Sequence, residues 1–178
     1  MASIGKYRKK IKSAKNISQI TKAMELVAAS KMRRAQDYAK SGRTYRESAY
    51  SLLTRLSAIT EVAEHPLFVQ REVKNRLYIV ITSNRGLAGA YNSNILRLLA
   101  KSIIEDNKAG LSAQVIAIGK QAANFARRLE GVELLAAYES FGDQPTANDV
   151  RPLLATASKM YIDKNVDDVV LLYTDFKS

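Results

Sequence analysis

The stretch TSNRGLAGAYNSN, residues 82–94, contains the residue types in this chain that are best suited to bind a ligand. It follows an apolar run at 76–81 and precedes an amphipathic run at 95–104, a pattern typical of a turn between a strand and a helix. Such turns hold phosphates in many α/β proteins, because backbone N–H groups and the helix N-terminus point at the bound anion. A nucleotide site is therefore the first hypothesis.

The glycine spacing of this turn does not fit that hypothesis. Its only glycines are Gly86 and Gly89, so it matches neither the dinucleotide fingerprint GxGxxG nor the P-loop. The second strand runs into AIGK, residues 117–120, where a dinucleotide-binding fold has an acidic residue for the ribose. We therefore predict no nucleotide or other cofactor, a tight turn at the two glycines, and a helix cap from Asn92 or Ser93.

Composition removes most other catalytic chemistry. The chain has no cysteine and a single histidine, His65, which excludes disulfides and thiolate chemistry and leaves a His-based triad or metal site without partners. No serine elbow and no carboxylate pair with catalytic spacing is present. We predict that the chain is not an enzyme. A dinucleotide-dependent enzyme stays open as an alternative, and it would require cofactor binding at the turn.

The net charge of +11 lies entirely in the first third of the chain. Residues 1–60 contain 14 Lys and Arg against Glu25, Asp37 and Glu47, whereas residues 61–178 are balanced. A basic helix could neutralise DNA phosphates, bind an acidic protein surface, or form the solvated face of a coiled coil. The charges are spread around much of the helix circumference, which disfavours a groove-binding stripe. We predict no nucleic-acid partner.

The same third is patterned as a long helix. There is no glycine between Lys6 and Ser41 and no proline before Pro66, so only Gly42 could interrupt it. Apolar or small residues recur at steps of three and four, as on one face of a coiled-coil helix. They are Ile4, Tyr7, Ile11, Ala14, Ile17, Ile20, Met24, Val27, Ala28, Met32, Ala35 and Tyr38, then Tyr45, Ala49, Leu52, Leu56 and Ile59. We expect this face to be covered by another chain or by a C-terminal helix that the sequence lacks.

From residue 75 the period changes to short β-rich runs that alternate with amphipathic segments. The predicted strands are 76–82, 113–118, 132–138 and 168–174, and the predicted helices are 92–107, 119–130 and 148–163, the last capped by Asn148 or Asp149. Apolar strands separated by helices indicate a mostly parallel sheet with helices on both faces. The predicted fold class is α/β, a Rossmann-like domain with a long N-terminal coiled-coil helix. Its expected boundaries are 1–60 for the helix, 61–74 for a linker and 75–178 for the domain.

Two motifs resemble one known family. The stretches ISQITKAMELVAASKMRRAQ (17–36) and ITSNRGLAGAYNSNIL (81–96) resemble the γ subunits of F-type ATP synthases, and the resemblance runs from Ala2 to Lys177. It implies a central-stalk rotor that binds no nucleotide and couples proton-driven rotation to ATP synthesis. The helix would lie inside a hexamer of α and β subunits, and the α/β domain beside the ε subunit and the c-ring. Because the family's C-terminal helix is missing, we expect a truncated chain.

The resemblance also implies which residues contact the α/β hexamer. They are Lys22, Met24, Glu25, Lys31, Arg33 and Arg34 on the helix and Arg85, Gly86, Gly89 and Ala90 in the turn. The helix residues would meet an acidic lever segment of β, and the turn would meet the lower part of the hexamer. The implied location is the cytoplasmic face of a bacterial cell membrane, with the chain attached to the membrane only through the complex.

Overall fold

The computed structural model describes residues 2–59, 65–139, 141–142 and 145–177. The chain divides into two compact units, Met1–Tyr50 and Ser51–Ser178. Of the linker expected at 61–74, residues 61–64 lie outside the described residues.

The first unit is helical, as the spacing predicts. Helix α1 spans Ala2–Ser41 and helix α2 spans Arg43–Ser57, so α2 begins in the first unit and ends in the second. Only Gly42 separates them. Its N–H donates to the carbonyl of Tyr38 at 3.2 Å, and the N–H of Arg46 donates to the carbonyl of Gly42 at 3.1 Å. The helical hydrogen-bond ladder therefore continues across the glycine.

No side chain described in α1 is buried. Its large apolar side chains, which include Ile11, Ile20 and Met24, are 53–68% exposed. A helix of 40 residues is about 60 Å long, and it owes this form to local propensity rather than to a core. An exposed apolar face of this length indicates a surface for another protein segment.

The second unit contains a four-stranded parallel sheet. The strands are β1 (Asn75–Ile81), β2 (Ser112–Ile118), β3 (Glu133–Tyr138) and β4 (Asp168–Leu172), in the spatial order β3-β2-β1-β4. The helices are α3 (Tyr91–Lys108), α4 (Lys120–Ala126) and α5 (Ala147–Ile162). This arrangement confirms the predicted α/β fold class with its long N-terminal helix.

The core lies on both faces of β1, whose side chains alternate between the two faces. Tyr78 and Val80 belong to a buried cluster that contains Leu99 of α3. Leu77 and Ile79 belong to a second cluster, with residues of α5. Helices therefore cover both faces of the sheet, which explains why β1 is an almost continuous apolar run.

The helix ends differ from those predicted. The N-cap of α3 is Ala90, not Asn92 or Ser93, because the Asn92 side chain is directed to the preceding loop. The N-cap of α5 is Thr146 rather than Asn148 or Asp149. The Asp149 carboxylate instead accepts the Thr146 N–H and hydroxyl, both at 2.7 Å, and these bonds lower the pKa of Asp149.

Helix α4 is shorter than the predicted segment 119–130 and ends at Ala126. The chain then tightens. The N–H of Arg128 donates to the carbonyl of Phe125 and the N–H of Leu129 to the carbonyl of Ala126, three residues back in each case. Such bonds end an α-helix with 3₁₀-type geometry. Apolar periodicity is the same in both geometries over so short a stretch, so the sequence alone could not place this end.

Candidate functional site

The turn after β1 is held by a hydrogen-bond network centred on Asn92. The Asn92 side-chain oxygen accepts the Ser83 N–H at 2.9 Å, and its amide nitrogen donates to the carbonyl of Arg85 at 3.2 Å. The Ser83 hydroxyl also donates to that carbonyl, at 2.7 Å. A second tie joins Asn84 to the start of α4, where its side-chain oxygen accepts the Lys120 N–H at 3.0 Å. The turn is thus fixed at its base.

The tip of this turn presents an apolar side chain to solvent. Leu87 has a relative exposure of 108% and a φ of 56°, a left-handed conformation that costs free energy in a residue with a Cβ. Gly89 has a similar φ of 54°, which explains the glycine there. Gly86 has no positive φ, and a Cβ added to it would meet no atom beyond its chain neighbours within 4 Å. Leu87 was not among the residues predicted from the sequence, because an exposed leucine has no periodic signal.

Among the glycines of the chain, Gly119 is the one where an added Cβ would meet backbone atoms at less than 3.0 Å, and sequence reasoning missed it. Gly119 has a φ of 94°, and a Cβ there would lie 2.2 Å from the carbonyl oxygen of Thr82. The Thr82 hydroxyl accepts the Ala122 N–H at 2.8 Å and so links the end of β1 to α4. A glycine directly after a predicted strand was the available signal.

A cavity of about 410 Å³ lies at the carboxyl ends of β1 and β2. This is the position at which open α/β sheets bind ligands. Its lining includes Ile81, Ile118, Phe141 and Leu153, with Thr82 and Asn84 as polar members, and none of its described lining residues is charged. A nucleotide phosphate would have no counter-charge in this lining.

The predicted contact residues of α1 are exposed, and they do not share one face of the helix. Lys22 and Glu25 form an ion pair at 3.0 Å, with side chains 68% and 66% exposed. Met24 is 61% exposed. At about 100° per residue, Met24 and Lys31 lie on one side of α1, whereas Lys22 lies almost opposite them.

Arg33 follows Lys22 by 11 residues and so lies on the same side as Lys22. Arg34 donates to the Ser30 hydroxyl at 3.4 Å. The four basic residues thus extend from the Lys22 side of α1 around to the Met24 side. Met24 occupies the side that carries Ile20 and Val27. The structure therefore brings together two subsets of the predicted residues, one within the apolar stripe and one on the polar side.

A buried polar cluster at the other end of the sheet is structural. The Asp106 carboxylate accepts the Tyr78 hydroxyl at 2.6 Å and pairs with Arg76, which also pairs with Asp168 at 2.9 Å. Tyr78 is 1% exposed, and burial together with the Asp106 hydrogen bond raises its pKa. The cluster ties the end of α3 to β1 and β4.

Two features are absent from the described ranges. Within these ranges no group of three or more His, Asp or Glu residues could hold a metal ion. In the same ranges, no helix is both long and apolar enough to cross a membrane.

Comparisons with known proteins point to one class of protein, the ATP synthase. A family model described as "ATP synthase" matches residues 3–178. The ATP synthase gamma chain of Desulfitobacterium hafniense is 36% identical over 178 residues, which is all of this chain and 62% of that protein. The ATP synthase gamma chain of Opitutus terrae is 40% identical over all of this chain and 58% of its own length.

A solved structure agrees with these relatives. It is a chain of the cryo-EM structure titled Tetrahymena thermophila mitochondrial ATP synthase, central stalk and c-ring, with a TM-score of 0.65 and 25% identity. The match covers 89% of this chain and 66% of that chain. The protein therefore belongs to the ATP synthase gamma chain family. It spans about 60% of the length of the curated relatives it matches.

Proposed function

We propose that this chain is the central-stalk rotor subunit of an F-type ATP synthase. It couples proton-driven rotation to conformational changes in the catalytic β subunits, which make ATP, and it is not catalytic itself. The observation that carries the proposal is the match of the whole chain to ATP synthase gamma chains, with a fold like that of a central stalk.

The exposed apolar face of α1 supports this function. A rotor shaft needs a rigid element that protein surfaces surround, and α1 presents apolar side chains that are more than half exposed along its length. Its basic residues would attract acidic partner segments. Exposed ion pairs contribute about 1 kcal/mol or less, so contacts of this kind can break and re-form during a turn. A much stronger pairing would stall rotation.

The proposed partners are the F1 α and β subunits, the ε subunit and the c-ring. In this proposal Lys22, Met24, Glu25, Lys31, Arg33 and Arg34 contact the α/β hexamer from α1. Arg85, Gly86, Gly89 and Ala90 contact it from the turn after β1, with Leu87 exposed between them. The rigid base of that turn suits a contact surface, since little conformational entropy would be lost on binding. The complex would place the chain at the cytoplasmic face of a bacterial membrane.

The test is to add a charge at Met24 and compare it with the same charge nearby. Met24→Lys and Leu26→Lys alter side chains that are 61% and 64% exposed and that lie on nearly opposite sides of α1. In the assembled complex, we expect Met24→Lys to reduce ATP-driven proton pumping per ATP hydrolysed. Leu26→Lys should reduce it less, and both variants should fold normally. Unchanged pumping with Met24→Lys would contradict the proposed contact.

A further inference from the structure

The chain enters the sheet through a segment that is fastened to a distant part of the fold. Residues 65–74 lead into β1, yet they contain no helix or strand of their own. Several of their hydrogen bonds reach residues 90 or more positions later, around the connection between α5 and β4. The segment is therefore held by side chains and not by secondary structure.

Arg71 is the centre of this attachment. Its Nε donates to Asp167 at 2.9 Å, and its Nη2 donates to the carbonyls of Tyr161 and Val166, both at 2.6 Å. The guanidinium also lies over the Tyr161 ring, 4.2 Å from its centroid. The Tyr161 hydroxyl completes the contact by donating to the carbonyl of Val69 at 2.8 Å. One arginine thus joins residues 65–74 to both ends of the α5–β4 connection.

Asp167, in the α5–β4 connection, also bonds to the backbone at the start of β1. Its second carboxylate oxygen accepts the N–H groups of Lys74 at 3.0 Å and Asn75 at 2.9 Å, and its own N–H donates to the carbonyl of Asn75 at 2.8 Å. These backbone donors, followed by Arg71, lower the pKa of Asp167, so its charged form is retained. The side chains of Arg71 and Asp167 are only 20% and 11% exposed. Partly buried, charge-assisted bonds are stronger than exposed pairs.

We propose that the Arg71–Asp167 attachment is a joint through which the rotor transmits torque, an inference that rests on the proposed function. Without this attachment, force that reaches residues 65–74 would enter the sheet only through β1, because these residues contain no helix or strand. With the Arg71–Asp167 attachment formed, the same force acts on β1, β4 and α5 together. Arg71 is thus a positioning residue that makes the connection stiff, and it contacts no substrate.

The joint is tested in the assembled complex by the angular fluctuation of the second unit. Because the chain has no cysteine, Lys108→Cys at the exposed end of α3 provides a unique attachment point for a rotation probe, with the hexamer fixed to a surface. Arg71→Gln should increase the angular variance during pauses between steps. Arg127→Gln is the matched control, since Arg127 pairs with Glu139 at 3.2 Å on the surface, with both side chains about half exposed.

A second readout separates the joint from general instability. Arg71→Lys keeps the charge but loses the planar fork, so the amides of Lys74 and of Asn75, the first residue of β1, should exchange hydrogen roughly tenfold faster, whereas the amides of Leu77–Val80 farther along β1 should keep their protection. Uniformly faster exchange would mean a structural role only and would overturn the inference.

The two proposals fail in different ways. If Arg71→Gln assembles and rotates with the parent's angular variance, the joint is wrong and the rotor function stands. If the parent chain itself does not assemble with α and β subunits, the rotor function fails and the joint fails with it. A broader variance for Arg71→Gln together with the parent's variance for Arg127→Gln would support both.

Discussion

The two units of this chain handle apolar side chains in opposite ways. In α1 the large apolar residues are more than half exposed, whereas Leu77, Val80 and Leu99 of the second unit are completely buried. The second unit therefore gains stability from its own core. The first unit is a helix by local propensity, and its apolar face contributes free energy only when a partner covers it. The second unit is thus stabilised by its own core, whereas the apolar face of α1 needs a partner to bury it.

The largest expected difference in stability is between truncating a large apolar side chain in the second unit and truncating one in the first. Leu99→Ala should lower the free energy of unfolding of the second unit by about 2–5 kcal/mol, because it leaves a cavity in a closed core. Ile20→Ala, at 59% exposure, should change the stability of the isolated chain by less than about 0.5 kcal/mol. Denaturant unfolding of both variants measures this. A large loss of unfolding free energy for Ile20→Ala in the isolated chain would contradict this contrast between the two units.

The next effect concerns glycines inside the second unit. Gly119→Ala combines a φ of 94° with a Cβ 2.2 Å from the Thr82 carbonyl, so we expect a loss of about 2–3 kcal/mol. Gly131→Ala is the control, since it has a φ of 72° with nothing within 4 Å and should cost about 1 kcal/mol. Thermal unfolding of the two variants compares them. Equal losses would show that the close approach at Gly119 is not a constraint.

A smaller, pH-dependent effect is expected at Tyr78. Tyr78→Phe removes the buried hydrogen bond to Asp106 and should cost about 1–2 kcal/mol at neutral pH. Because the pKa of Tyr78 is raised in the folded state, its contribution is fully present below the unfolded value of about 10 and is lost as pH rises through the folded value. The difference in unfolding free energy between parent and variant should therefore shrink above about pH 10.

The control for the lost hydrogen bond is a tyrosine in the first unit. Tyr45 is 80% exposed in α2, so Tyr45→Phe should leave the free energy of unfolding at neutral pH nearly unchanged. A parent-minus-variant difference at Tyr78 that stays constant from neutral to strongly alkaline pH would contradict the buried cluster.

The elements of the fold could be predicted because their signals are local. The strands β1–β4 and the helices α3–α5 follow from apolar runs and helical spacing, and the long helix follows from the absence of glycine between Lys6 and Ser41 and of proline before Pro66. The helix caps could not be predicted in the same way. Asn92 and Thr146 both suit a cap, and the choice between cap and loop depends on where the Ser83 backbone lies in space.

The candidate contact residues show a similar limit. Residue types and a family resemblance named Met24 and Arg85, but neither signal indicates exposure or conformation. Leu87 became visible only through its position at the tip of a fixed turn, and Arg71 only through bonds to residues 90 or more positions away. Long-range pairs of this kind carry no periodicity, so a single sequence does not reveal them.

The most direct test of the central claim is assembly. The chain is mixed with purified F-type α and β subunits, with duplex DNA as a competitor for its basic helix, and the products are weighed by native mass spectrometry. The rotor function predicts a complex of three α subunits, three β subunits and one copy of this chain, unaffected by DNA. Binding to DNA without assembly, also after a C-terminal helix is added, would contradict it and would identify α1 as a basic nucleic-acid-binding helix.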